Sequence, residues 1–304
     1  MVVSLLFLGK FAYANGPSPL KVVSSFSILS DLIQNVGGHH ISLETIVGPN
    51  SDTHVYEPTP KDAQRLSEAD LVFINGLQFE GWIERLIATS GYKGPIIIAS
   101  RDIEPRYSKK ECACSDQHHG YSSQKLDPHA WHNIPNVQSY IRVIEKTLSE
   151  KDPLHRQDYA DNAASYLEKL QALEKKIQHD FSTIPSEKRM SITTHDGFGY
   201  LGDHYGIRFL APVGLSTESE PSAQTVAHLI DFIKTNNIKV LFLENITSPK
   251  LIQQIAYETK AEIGPILYSD ALSDTEGPAS TYLAMMRHNT QMLLNGMIKN
   301  KPVL

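Results

Sequence analysis

The stretch LHRQDYADNAASYLEKLQALEKKIQHDFSTI, residues 154–184, contains neither glycine nor proline. Within it Tyr159, Ala163, Tyr166, Leu170, Leu173, Ile177 and Phe181 recur at spacings of three or four residues. That is the period of one buried face of an α-helix, and about 30 residues at 1.5 Å each make a rod of about 45 Å. A flexible linker would be rich in Gly and Ser. The parts joined by this rod should therefore open and close little.

Both flanks of the rod have the same grammar. Before it, KVVSSF (21–26), ISLETIV (41–47), DLVFINGL (70–77) and PIIIAS (95–100) read as strands. TPKDAQRLSEA (59–69) and EGWIERLIATS (80–90) read as helices between them. After it, SITTH (191–195), RFLAPV (208–213), KVLFLEN (239–245) and EIGPILY (262–268) alternate with helical segments at 222–237, 249–261 and 281–297. Short apolar strands separated by amphipathic helices indicate parallel sheets covered on both faces. The expected fold is α/β: two (β/α) lobes, residues 15–150 and 186–304, each with a mainly parallel sheet, bridged by one long rigid α-helix over 151–185. The segment 101–127, with ECACSDQHHGYSSQ inside it, is polar and irregular.

Composition narrows the class. The 304 residues are 41% hydrophobic and 20% charged, with a net charge of −6. A disordered chain is excluded, and no basic footprint for nucleic acid is present. Residues 1–9, MVVSLLFLG, form a short apolar run, and Ala12-Tyr13-Ala14 follows as an A-x-A cleavage pattern. Residues 1–14 therefore read as a signal peptide, and the mature protein as periplasmic. No cysteine follows the run, so the expectation is an unanchored protein, and no later segment has the roughly 18 apolar residues of a membrane span.

Ligands of open parallel sheets bind beyond the carboxyl ends of the strands. Of the 13 histidines, only a few lie in such loops. His54 lies in GPNSDTHVYEPTP, His129 and His132 in DPHAWHN, His195 at the tip of SITTH, and Asp270 just past EIGPILY. Three imidazoles and one carboxylate suit a four-coordinate borderline transition metal better than Ca²⁺ or Mg²⁺, which prefer oxygen cages. Around a divalent ion these four groups leave a formal charge of about +1, and affinity should fall as pH drops through about 6.5. Asp196 and Glu244, also at strand ends, are candidates to orient ligand imidazoles. Trp82 and Trp131 should wall the cleft. His39 and His40 read as solvated, and His155, His179, His204, His228 and His288 as structural or surface residues.

Five motifs in order carry a resemblance: DTHVYEPTP (52–60), NGLQFEGW (75–82), DPHAW (127–131), THDGFGY (194–200) and SDAL (269–272). Together they resemble the ZnuA/TroA-like metal-binding solute-binding proteins of bacterial ABC importers, the cluster A-I family, over essentially the whole mature chain. The resemblance implies a metal held between the lobes by His54, His129, His195 and Asp270, and delivery to a membrane ABC permease. It implies a transport component rather than an enzyme, and a monomer is the default for a protein that docks on a permease. His132 departs from the family pattern and is a rival or supporting ligand. The segment before Asp127 has only His118 and His119, with Cys112 and Cys114, where zinc-specific relatives carry a His-rich loop. His195 stands where manganese-dedicated relatives often have Glu. The metal is therefore Zn²⁺ or Mn²⁺. A zinc hydrolase would need an open coordination position and a general base. A binder of an organic solute or siderophore would need aromatic and Arg contacts in place of converging imidazoles.

Overall fold

The computed structural model describes residues 18–108 and 125–300. The expected signal peptide, Cys112, Cys114, His118 and His119 lie outside the described residues. In the first half, β1 (Leu20–Phe26), α1 (Ser27–Gly37), β2 (Ile41–Val47), α2 (Pro60–Ser67), β3 (Leu71–Ile74), α3 (Ile83–Ser90) and β4 (Ile96–Ile98) build a sheet of order β2-β1-β3-β4. Every pairing is parallel. Helix α4 (Ile134–Lys151) leads through a short 3₁₀ turn at Pro153–His155 into the rod, α5 (Arg156–Ser182). The second half repeats the plan with β5 (Met190–Ile192), α6 (Gly199–Tyr205), β6 (Arg208–Leu210), α7 (Ala223–Thr235), β7 (Val240–Leu241), α8 (Lys250–Thr259) and β8 (Glu262–Ile263). Its order, β6-β5-β7-β8, is again all parallel. Helix α9 (Tyr282–Lys299) ends the described chain.

The strands of the second sheet are shorter than the sequence suggests. Gly264 and Pro265 interrupt β8, because proline has no N–H to give to a ladder. Single parallel bridges carry the pairing onward, His195 with Val213 and Glu244 with Leu267. Those bridges keep the carboxyl ends of the strands aligned up to the loops that matter.

All seven residues of the α5 stripe are buried. Each large side chain among them adds roughly 1.5–3 kcal/mol on burial. The rod is not the only connection between the halves. A single core runs from Val22 and Phe26 of the first sheet through Leu170 of α5 and Met285 of α9 to Val240 and Phe242 of the second. A smaller core, with Ile192, Leu229 and Ile255, lies between the second sheet and α7/α8. Tyr282, the first residue of α9, donates its N–H to Asp31 of α1 (2.9 Å) and its hydroxyl to the Trp131 carbonyl (2.8 Å). Helix α9 is therefore a second brace, and periodicity alone did not mark it as one.

Candidate metal centre

Four loops at the carboxyl ends of the two sheets converge. One ligand atom from each of His54, His129, His195 and Asp270 falls within a common span of 4.8 Å, and all four residues are buried. The Nε2 atoms of His54 and His129 are 3.3 Å apart, and those of His195 and His129 are 3.2 Å apart. Asp270 Oδ2 is 3.2 Å from His54 Nε2 and 3.4 Å from His195 Nε2, and Oδ1 is 3.7 Å from His129 Nε2. A tetrahedral ion with bonds of about 2.0–2.1 Å separates its ligand atoms by about 3.3–3.4 Å. The cage has the size of one transition-metal ion.

The backbone sets each of these four side chains. His54 follows β2, and its N–H donates to Asp52 Oδ1 (2.9 Å), while the Trp82 indole N–H holds the neighbouring Thr53 carbonyl (2.8 Å). His129 begins a 3₁₀ turn, and Asp127 Oδ1 accepts both its N–H (3.0 Å) and its Nδ1–H (2.8 Å). His195 gives its Nδ1–H to Glu244 Oε2 (2.5 Å), and Glu244 Oε1 takes the N–H groups of Thr194 (2.8 Å) and His195 (2.9 Å). With Nδ1–H committed to a carboxylate, the Nε2 of His129 and of His195 turns a lone pair inward. Both Asp270 oxygens are buried without a well-placed hydrogen-bond donor and face those same nitrogens. Converging acceptors of this kind repel one another until a cation sits among them.

Protons are the competing cations. Burial opposes charge on His129, but Asp270 and Asp127 outweigh it and raise its pKa to about 9. His195 is likewise buried and is lifted well above 6.5 by Glu244 and Asp270. Burial pushes Asp270 up, yet the two imidazoles hold it well below the ordinary carboxylate range. Asp127 and Glu244 belong to the same buried assembly, and Arg106 offsets Asp127, its Nη1 lying 2.7 Å from Oδ2.

His132 is fully buried but does not join the four. Its ring lies 4.6 Å from Phe198, and neither nitrogen has a hydrogen-bond partner among the described residues. Burial and the charge on His129 press its pKa down to about 3. Of the two orienting candidates, Glu244 holds His195, whereas no hydrogen bond joins the Asp196 side chain to an imidazole among the described residues. Asp127 takes that role for His129. The recurring D-x-H of Asp52/His54 and Asp127/His129 was the available signal, since in each the carboxylate accepts the N–H two residues on. Trp82 and Trp131 do more than wall the cleft, because each indole N–H pins the residue before a ligand. His39 is exposed, as read, whereas His40 is half-buried: it stacks on His155 at 3.9 Å and its Nε2 lies 2.8 Å from Asp158. The two stacked rings are nearly parallel, so their in-plane lone pairs do not meet on one ion.

Comparison with known proteins shows the family. The chain is 34% identical over 286 residues to the iron-binding protein YfeA of Yersinia pestis, covering 93% of this chain and 89% of that one. It is 31% identical over 301 residues to the manganese-binding lipoprotein MntA of Halalkalibacterium halodurans, covering 98% and 96%. The Mn-bound periplasmic metal-binding protein from Candidatus Liberibacter asiaticus superposes with a TM-score of 0.80 at 30% identity, covering 91% of this chain and 99% of that one. The profile of the ZnuA family, described as zinc-uptake complex component A, periplasmic, matches residues 22–296. With nearly the whole described chain matched, the protein belongs to the ZnuA family of metal-importer substrate-binding proteins.

Proposed function

We propose that this protein captures one Zn²⁺ or Mn²⁺ ion between its two halves, with His54, His129, His195 and Asp270 as ligands, and delivers it to a membrane ABC permease. One observation carries the ligand assignment: three imidazole nitrogens and a buried carboxylate converge within 4.8 Å. Four protein ligands close the coordination sphere, which suits storage and transfer of an ion rather than catalysis on it. The proposal includes a periplasmic monomer without affinity for nucleic acid. The expected unanchored state differs from the lipoprotein name of the MntA relative, and the mass of the mature N-terminus separates the two.

Competitive calorimetric titration of chelator-stripped protein with Zn²⁺ and Mn²⁺ tests the reading, with Fe²⁺ added because of the YfeA relative. One tight site, lost or much weakened in both His129→Ala and Asp270→Ala, is the expected result. Binding that survives both substitutions would sink the four-ligand assignment.

A further inference from the structure

Arg106 ties a ligand support from the first half to a helix of the second. Its Nη1 lies 2.7 Å from Asp127 Oδ2, the oxygen opposite the one that holds His129. Its Nε donates to Asp203 Oδ2 on α6 (2.8 Å). Its backbone N–H donates to the Tyr200 hydroxyl, also on α6 (2.8 Å), and its carbonyl accepts from the Asp127 N–H (2.9 Å). The planar guanidinium can serve two carboxylates in fixed directions, which a lysine point charge cannot.

The start of α6 is shaped around this ion pair. A Cβ at Gly199 would come within 2.2 Å of Arg106 Nη1 and 2.7 Å of Asp127 Oδ2. The backbone of α6 is therefore pressed against the pair, and any side chain at residue 199 would displace the guanidinium. Helix α6 in turn begins four residues after the ligand His195. Behind the metal centre, a chain of contacts runs from His129 through Asp127 and Arg106 to Asp203, and α6 returns to His195.

We infer that Arg106 is a positioning residue that couples occupancy of the metal centre to the seating of α6, so that loading is read on the second half through this helix. The inference rests on the metal-binding reading above. An ion that draws His129 and His195 together also fixes Asp127, and Arg106 passes that order to Asp203. Coupling is reciprocal: whatever metal does for α6, seating of α6 does for metal affinity.

The test uses the full chain with Zn²⁺ as probe, reading hydrogen exchange of the α6 amides with and without metal. In the native chain, Zn²⁺ should slow exchange in α6 by about fivefold or more, the low end of ordinary coupling. Asp203→Asn, at a carboxylate that is 47% exposed, should erase that difference and weaken Zn²⁺ binding by the same factor. Asp203→Glu should restore both. Arg106→Gln combined with Asp203→Asn should be no worse than Arg106→Gln alone, since both cut one connection. Metal-dependent protection that persists in Asp203→Asn, or effects that multiply in the double variant, would overturn the proposal alone. A native chain that binds no Zn²⁺ would overturn the functional reading and this inference with it.

Discussion

The Trp131 indole N–H donates to the Ser269 carbonyl across 2.9 Å, joining residues 138 positions apart. Trp131 lies two residues past the proposed ligand His129, and Ser269 one before the proposed ligand Asp270. The bond therefore sets the spacing of two ligands that come from opposite halves. Phe26 and Phe79 pack on the indole at 4.9 and 4.8 Å, which keeps its edge aimed across the cleft.

Trp131→Phe keeps most of the packing and removes the donor. A buried carbonyl left without a partner costs about 1–3 kcal/mol. Metal dissociation should accelerate by about tenfold or more, which corresponds to about 1.4 kcal/mol. Stopped-flow release into a chelator measures it, and an unchanged rate would mean that the two ligand loops hold their spacing without the bond.

Asp127→Asn and Glu244→Gln should each weaken metal binding by about 10–100-fold, the usual effect of removing a carboxylate behind a ligating imidazole. Neither amide can both accept Nδ1–H and offset imidazole charge as a carboxylate does. Titration of each variant measures the loss, and full native affinity in either would remove that carboxylate from the centre's support.

The pH window for binding differs from the one the ligand types alone suggest. His129 has a folded pKa raised to about 9 from 6.5. In the metal-free protein its bound proton adds stability that is fully present below about 6.5 and is lost as pH rises through about 9. Metal must displace that proton, so affinity should fall as pH drops below about 9, about tenfold per unit for each proton displaced. His195 is shifted in the same direction, so metal binding at neutral pH should release protons. Calorimetry in buffers of different ionisation enthalpy counts them directly, and a count near zero would contradict the carboxylate-supported imidazoles.

His132 works the other way. Its folded pKa, near 3, lies below the unfolded value of 6.5, so stability falls as pH drops from about 6.5 towards 3. His132→Leu removes two unpartnered buried nitrogens. The variant should be more stable by roughly 1–3 kcal/mol with that acid sensitivity reduced, and should still bind one metal ion. Loss of the metal site in this variant would make His132 a ligand after all.

Local pattern was enough for much of this protein. The seven-residue stripe of α5 announced the rod, because helical period depends only on near neighbours in sequence. The strand-end position of His54, His129, His195 and Asp270 was readable for a related reason: a parallel sheet sends all its strand ends to one edge. What needed the tertiary structure was every property that depends on distance between remote residues. Glu244 meets His195 from 49 positions away, and Arg106 meets Asp203 from 97. Those meetings decide the tautomers, the charge and the pH window. Likewise α9 shows an ordinary amphipathic pattern in the sequence, and only the packing of Tyr282 against α1 and Trp131 makes it a brace. Residue type and spacing selected which groups could bind a metal; the fold, by setting Coulomb and hydrogen-bond distances across the two halves, decided how tightly and at what pH.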